Sequence, residues 1–97
     1  MAGVKLRTYD TAEYLETPED VVHYLEAIFE DGDPALIAHG LGVVARAKGM
    51  AGVAKKAGLG RESLYKALSR DGNPELTTVL KVLHALGLKL TITADAA

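Results

Sequence analysis

Hydrophobic residues recur at intervals of three and four along most of the chain, which is the spacing of one face of an α-helix. Three of these helical runs begin just after a capping residue followed by proline, at Thr17-Pro18, Asp33-Pro34 and Asn73-Pro74. In the first run, Asp20 stands where it completes a capping box. The pattern predicts helices that begin at these three points and end at Gly32, Gly49 and Gly87.

Residues 50–69 contain two shorter helical runs separated by a glycine turn. The pattern predicts a helix from Met50 to Ala57, a turn over 58–60 and a second helix over 60–69. Gly58 suits the left-handed conformation that ends the first helix. In the second helix the apolar residues form one narrow stripe, and the opposite face is polar: Arg61, Glu62, Tyr65 and Lys66. A helix docked by one stripe, with polar side chains facing outward, has the shape that reading of the DNA major groove requires.

Alternation of apolar and polar residues marks two further segments. Residues 4–9 alternate and predict a short strand, and Leu88 to Thr93 predict a second strand with Leu88, Leu90 and Ile92 inward. Between the first strand and the first helix, Thr11 to Glu16 predict a helical turn. Because one strand cannot stand alone, the second strand must pair with the N-terminal strand, a second subunit or a partner protein. Gly40 and Gly42 within the second helix either admit a close neighbouring helix or mark a bend.

Charge divides the chain into unlike parts. Residues 1–34 contain nine acidic and two basic residues, whereas residues 35–97 contain nine basic and four acidic ones. The basic part holds the paired short helices, as phosphate binding demands. The acidic part either invites a basic partner or is an ordinary solvated face. We therefore divide the chain into an acidic N-terminal extension and helix, 1–34, and a DNA-binding domain, 35–97.

Two family resemblances follow from these motifs. The set Ala54, Gly58, Leu59, Leu64, Ala67 and Leu68 resembles the Cro and phage-repressor (Xre) type of helix-turn-helix. The run from Ser63 to Ser69, then Gly72-Asn73-Pro74 and the leucine-rich helix into Leu88, resembles the addiction-module antidote family of HigA-like antitoxins. The predicted fold is mainly all-α, a five-helix repressor-like domain with an added N-terminal helix and a short C-terminal strand.

The resemblance implies a site and partners. In the repressor family the first, second, fifth and sixth residues of the recognition helix face the bases, and these positions are Arg61, Glu62, Tyr65 and Lys66 here. Met50 replaces the glutamine common there and cannot make its polar contact. The antidote family implies a homodimer that represses its own operon and a RelE/ParE-like toxin, often an mRNA-cutting ribonuclease, that it silences.

Further candidate residues come from charge and position. Lys55, Lys56 and Arg70 flank the recognition helix and are candidates for phosphate contacts, and Ser63 either contacts phosphate or caps its first turn. Tyr65 could instead pack between helices. Residues 10–33 combine acids with an apolar set too large for a small domain to cover, which predicts a groove or ridge with an acidic rim. Its toxin-binding candidates are Glu19, Asp20, Glu26 and Glu30.

Other functions have little support in the sequence. His23, His39 and His84 have no metal-ligand spacing, and the chain has no Walker loop, so we expect no cofactor, no metal and no catalysis. The absence of cysteine and of any membrane-length apolar run favours a soluble cytoplasmic protein. Two alternatives remain: a stand-alone Xre-type repressor without a toxin, and a protein-interaction module that has lost DNA binding. The last helix and the Leu88 to Thr93 strand are the predicted dimer interface, on a palindromic operator.

Overall fold

The computed structural model describes residues 15–69 and 71–95, and this part of the chain is helical without any β-strand. The five helices are α1 (Pro18–Asp31), α2 (Pro34–Lys48), α3 (Met50–Ala57), α4 (Arg61–Ala67) and α5 (Leu76–Ala85). The predicted, mainly helical architecture is confirmed. The predicted strand over residues 4–9 lies outside the described residues, as does most of the predicted turn over 11–16.

Local side-chain chemistry explains how α1 and α2 begin. Thr17 accepts a hydrogen bond from the backbone N–H of Asp20 at 3.1 Å, and the Asp20 carboxylate accepts one from the N–H of Thr17, also at 3.1 Å. This is the predicted capping box, which occupies N–H groups that the helix itself leaves unpaired. Asp33 caps α2 by accepting from the N–H of Ala35 at 3.0 Å. Both predicted helix starts are confirmed.

The predicted start of the last helix at Asn73-Pro74 is wrong by two residues. Helix α5 begins at Leu76, and its N-cap is Glu75, whose backbone is extended (φ −67°, ψ 157°). Proline disfavours helical geometry in the residue before it, so Asn73 is not expected to begin a helix, and the extended backbone of Glu75 precedes the first turn. At the other end Gly87 adopts a positive φ of 80°, as its predicted role in closing the helix requires.

One hydrophobic core joins all five helices. Helix α1 packs on α2, and α3 packs against α2, α4 and α5. The buried side chains of this core include Val21 and Leu25 of α1, Leu41 and Val44 of α2, Val53 of α3, Leu64 of α4, and Val79 and Val82 of α5. Burying one such side chain is worth about 1.5–3 kcal/mol, so each helix is held by its own anchors.

The two glycines within α2 admit close neighbours. A Cβ atom at position 42 would lie 2.5 Å from the backbone carbonyl oxygen of Leu68, at the end of α4. A Cβ atom at position 40 would overlap the end of the Ile28 side chain on α1. Of the two predicted explanations, close approach is therefore the correct one, and α2 contacts α1 and α4 through positions only two residues apart.

The prediction of a C-terminal strand over 88–93 is wrong for the described part of the chain. Leu88 is half-buried against the core and donates its backbone N–H to the carbonyl of Leu83 at 2.8 Å. The predicted inward residues beyond it are exposed, Leu90 by 45% and Ile92 by 96%. A strand needs the hydrogen bonds of a neighbouring strand, and the described residues offer none to this segment.

Candidate functional site

The turn between α3 and α4 is built by backbone geometry that glycine permits. Gly58 ends α3 in the left-handed conformation (φ 72°, ψ 31°), and its N–H donates to the carbonyl of Lys55 at 3.1 Å. Leu59 then donates to the carbonyl of Ala54 at 2.9 Å and packs, half-buried, against the core. The predicted glycine turn is confirmed. The turn sets the direction of α4 relative to α3 and therefore which face of α4 packs on the core.

Helix α4 presents its polar face outward. Leu64 and Leu68 are almost fully buried, and Ala67 beside them is half-buried. The other side chains are exposed: Arg61, Glu62, Ser63, Tyr65 and Lys66. The Tyr65 side chain is 45% exposed, so much of its surface is accessible to a ligand. Five of the predicted DNA-binding residues therefore share one accessible helix of seven residues.

Ser63 does not cap its own helix. The N-cap of α4 is Gly60, and no side chain of the described residues caps its first turn. Of the two roles predicted for Ser63, capping is thus absent from the structure. The contact with a DNA phosphate stays a prediction.

The flanking basic residues are distributed over more than one surface. Lys55 and Lys56 are exposed in the last turn of α3. Lys56 also borders a shallow depression with residues of α5, namely Thr77, Leu80, Lys81 and His84. The sequence prediction did not include Lys81 and His84 in any site, because only the packing of α3 on α5 brings them beside Lys56. Arg70, the third predicted phosphate contact, lies outside the described residues.

The predicted toxin-binding carboxylates divide into two groups. Glu19, Glu26 and Glu30 are exposed, and their spacing of seven and four residues places them on one face of α1. Asp20 is instead engaged in the capping box, where its carboxylate accepts the N–H groups of Thr17 and Glu16. The hydrogen bond from the backbone of Thr17 is the main cause that lowers the pKa of Asp20, and the Coulombic interaction with His23 lowers it further.

An open groove of about 580 Å³ runs between α1 and residues 88–93, which we call the C-terminal segment. Its apolar lining includes Val22, Leu25 and Phe29 of α1 and Leu83 of α5. Glu26, Glu30 and Lys89 add charge to the lining, and Glu19 lies outside it. The sequence predicted an acidic rim on α1. It did not indicate that the opposite wall comes from the far end of the chain.

Neither a metal-holding cluster nor a membrane-spanning helix is found in the part of the chain that the structure describes. Residues 15–69 and 71–95 contain no group of three or more His, Asp or Glu side chains arranged to hold a metal ion. None of the helices found there is both long and apolar enough to cross a membrane.

Comparison with known proteins identifies the family. Residues 5–94 match the family model described as "Probable addiction module antidote protein". The chain is also 43% identical over 88 residues to an uncharacterized protein of Haemophilus influenzae, across 91% of each chain. The chain belongs to the addiction-module antidote family. The predicted membership of the antidote family is confirmed, and it implies a toxin as partner. The Xre/HigA-like subtype stays a prediction, and no solved structure matches this antidote-family chain.

Proposed function

We propose that the chain is a DNA-binding antitoxin that neutralises a RelE/ParE-like toxin and represses its own operon. It acts by binding and not by catalysis. The observation that carries the proposal is the exposed polar face of α4, held by buried Leu64 and Leu68 after a glycine turn, in a member of the antidote family. In this proposal α3, the turn and α4 form a helix-turn-helix.

The dimensions and chemistry of α4 suit the major groove of DNA. An α-helix with its side chains is about 10–12 Å in diameter, so a major groove about 12 Å wide admits one helix, and the seven residues of α4 extend about 10 Å along it. Arg61 in the first turn has the planar fork that pairs with O6 and N7 of guanine. Glu62 accepts from a cytosine amino group or orients Arg61, and Tyr65 and Lys66 face the bases one turn later. Ser63, Lys55 and Lys56 contact phosphates.

A two-fold dimer gives this short helix useful specificity. One copy of α4 spans two turns and reads only a few base pairs, so two copies about 34 Å apart must bind a palindromic operator. Leu76 and Leu80, four residues apart on α5, expose 66% and 43% of their surface. Apolar side chains repeated at that spacing form a stripe suited to the same stripe of a second copy. We assign the dimer interface to α5.

The acidic face of α1 provides the surface for a basic toxin. A toxin that cuts RNA must hold a polyanion, so its working surface is positively charged. The aligned carboxylates of Glu19, Glu26 and Glu30 attract such a surface at long range and speed the encounter. Asp20 contributes charge nearby, but its hydrogen bonds hold the start of α1, so we do not assign it a direct contact.

Co-purification with the protein of the adjoining reading frame tests the proposal. The antitoxin function predicts that the two proteins form a stable complex, that the chain restores growth when the partner is toxic, and that it binds its own promoter. Promoter binding with no partner would indicate the stand-alone Xre-type repressor. Partner binding with no affinity for promoter DNA would indicate a protein-interaction module, and the helix-turn-helix assignment would be wrong.

A further inference from the structure

Within residues 15–69 and 71–95, the C-terminal segment has backbone hydrogen-bonding groups without a backbone partner. Leu88 donates its N–H to Leu83, but residues 89–94 make no backbone hydrogen bond with any residue that the structure describes. The same residues alternate polar and apolar: Lys89, Leu90, Thr91, Ile92 and Thr93. A segment that has no backbone partner among the described residues and has the alternation of a strand is a template on which another strand can form.

The position of this segment favours a strand added on its α1 side. The groove between the segment and α1 is lined by buried Leu25 and Leu83 and by half-buried Val22 and Phe29. A strand paired with the segment there would place every second side chain against this apolar lining and the others toward solvent. Backbone pairing would supply affinity, and the pocket beneath would select the side chains that fit.

The charges beside the groove select a basic strand. Glu26 and Glu30 of α1 and Lys89 of the C-terminal segment line the groove, so carboxylates outnumber ammonium groups two to one there. Glu19 extends the same acidic face by about two further turns of α1. A second copy of the C-terminal segment offers only Lys89 as a basic side chain, and it would therefore complement the acidic wall poorly.

We propose that the partner toxin contributes an extended, basic segment that pairs with residues 88–93 as an added β-strand and lies in the α1 groove. This inference rests on the proposed antitoxin function and specifies its binding surface. It separates the two interfaces of the chain, because the toxin occupies the C-terminal segment and α1, whereas the second copy occupies Leu76 and Leu80 of α5.

Hydrogen exchange of the full chain, alone and with the protein of the adjoining reading frame, tests the pairing directly. In an added strand, the N–H groups of alternate residues point toward the partner. We expect the amides of residues 89–93 to exchange freely in the chain alone and alternate ones to be protected in the complex. Protection already present in the chain alone at micromolar concentration would mean that this chain or a second copy fills the edge, and it would overturn the proposal.

The toxin-binding affinity of proline variants in the C-terminal segment tests the same pairing. Leu90→Pro, Thr91→Pro and Ile92→Pro each remove one N–H from a segment outside the helices, so the folded core remains. Residues 90 and 92 would point their N–H groups to one side of the strand and residue 91 to the other. We expect the substitutions on the side that pairs with the toxin to weaken binding about tenfold or more, and those on the other side to change it much less. Thr91→Ala, which keeps the N–H, is the matched control. Equal effects at all three positions would contradict strand pairing.

Charge reversal tests the acidic wall. Glu26→Lys with Glu30→Lys should slow association at least tenfold at low salt, because steering by these carboxylates is lost. Asp31→Lys is the control, since Asp31 is exposed at the same end of α1 but does not line the groove. Equal slowing by both variants overturns the groove assignment alone. A wild-type chain that does not bind the partner overturns the antitoxin function itself, and this inference with it.

Discussion

Arg61 is the single side chain on which base recognition should depend most. It is exposed in the first turn of α4, where a guanidinium fork can reach the edge of a guanine. We expect Arg61→Ala to cost about 1–3 kcal/mol of binding free energy on the operator and to relax preference at one base position in each half-site. Quantitative footprinting on operator variants measures both effects. An unchanged sequence preference would remove Arg61 from the base-reading set.

Lys55 should act differently, through charge alone. It is exposed in the last turn of α3, and a phosphate contact carries no sequence information. We expect Lys55→Ala to weaken binding to all DNA sequences alike and to reduce the slope of log affinity against log salt by about one. Lys89→Ala, on the far C-terminal segment, is the matched control. Equal slopes for both variants would make Lys55 a solvated surface residue.

Gly42 and Gly40 form a matched pair for alanine substitution, because an added methyl group would meet backbone at one position and a side chain at the other. Alanine is favoured over glycine in a helix by about 1 kcal/mol. At position 42 the added methyl group meets the carbonyl oxygen of Leu68, whereas at position 40 it meets only the flexible end of Ile28. We expect Gly42→Ala to lower the free energy of unfolding by about 1–3 kcal/mol and Gly40→Ala to change it less. Urea denaturation gives the order, and a more stable Gly42→Ala would contradict this packing.

At the scale of elements, the capping box of α1 links stability to pH. Because folding lowers the pKa of Asp20, its carboxylate stabilises the fold fully above the pKa of the unfolded group. That contribution is lost as the pH falls through the lowered pKa of the folded state. We therefore expect Asp20→Asn to be less stable than wild type near neutrality, with the difference shrinking on acidification. Thermal unfolding across the acid range measures this, with Glu26→Gln as the control. A constant difference would show that the charge is unimportant.

The elements that the sequence predicted well are those decided by neighbours in the chain. The left-handed conformation of Gly58 and the cap from Thr17 depend on a few adjacent residues, so their chemistry can be recognised without a structure. The start of α5 was missed because Pro74 is compatible with a place before the helix or inside it. The loop before Pro74 packs closely on the end of α4, because a side chain at position 72 would overlap the carbonyl oxygen of Ala67. This tertiary contact cannot be seen in the sequence around Pro74.

The strand and the groove show where local pattern stops being informative. The alternation of residues 88–93 is real, but pairing depends on a second strand that the described chain does not provide. The groove joins α1 to the opposite end of the sequence, and only tertiary packing brings them together. For the candidate DNA site, exposure of the α4 face could be predicted from the stripe of Leu64 and Leu68, since covering one face exposes the other.

At the scale of the whole molecule, the exposed leucines of α5 should control assembly. We expect Leu80→Asp to give a folded monomer at micromolar concentration, because a charge placed in an apolar interface loses its hydration. Operator affinity should fall with it, since two half-sites can no longer be bound together. Sedimentation velocity, with circular dichroism to verify folding, is the measurement. Leu36→Asp on α2 is the control, and a dimer that persists in Leu80→Asp would place the interface elsewhere.

The two glycine contacts of α2 have a consequence for regulation. Position 40 touches α1 and position 42 touches α4, so one rigid helix separates the proposed toxin surface from the proposed DNA surface. We therefore expect a ligand that displaces α1 on this helix to shift α4 as well. Thermodynamic linkage then works in both directions: whatever factor the toxin imposes on operator affinity, the operator imposes on toxin affinity. Under the proposed function, the occupancy of the promoter would then vary with the concentration of free toxin.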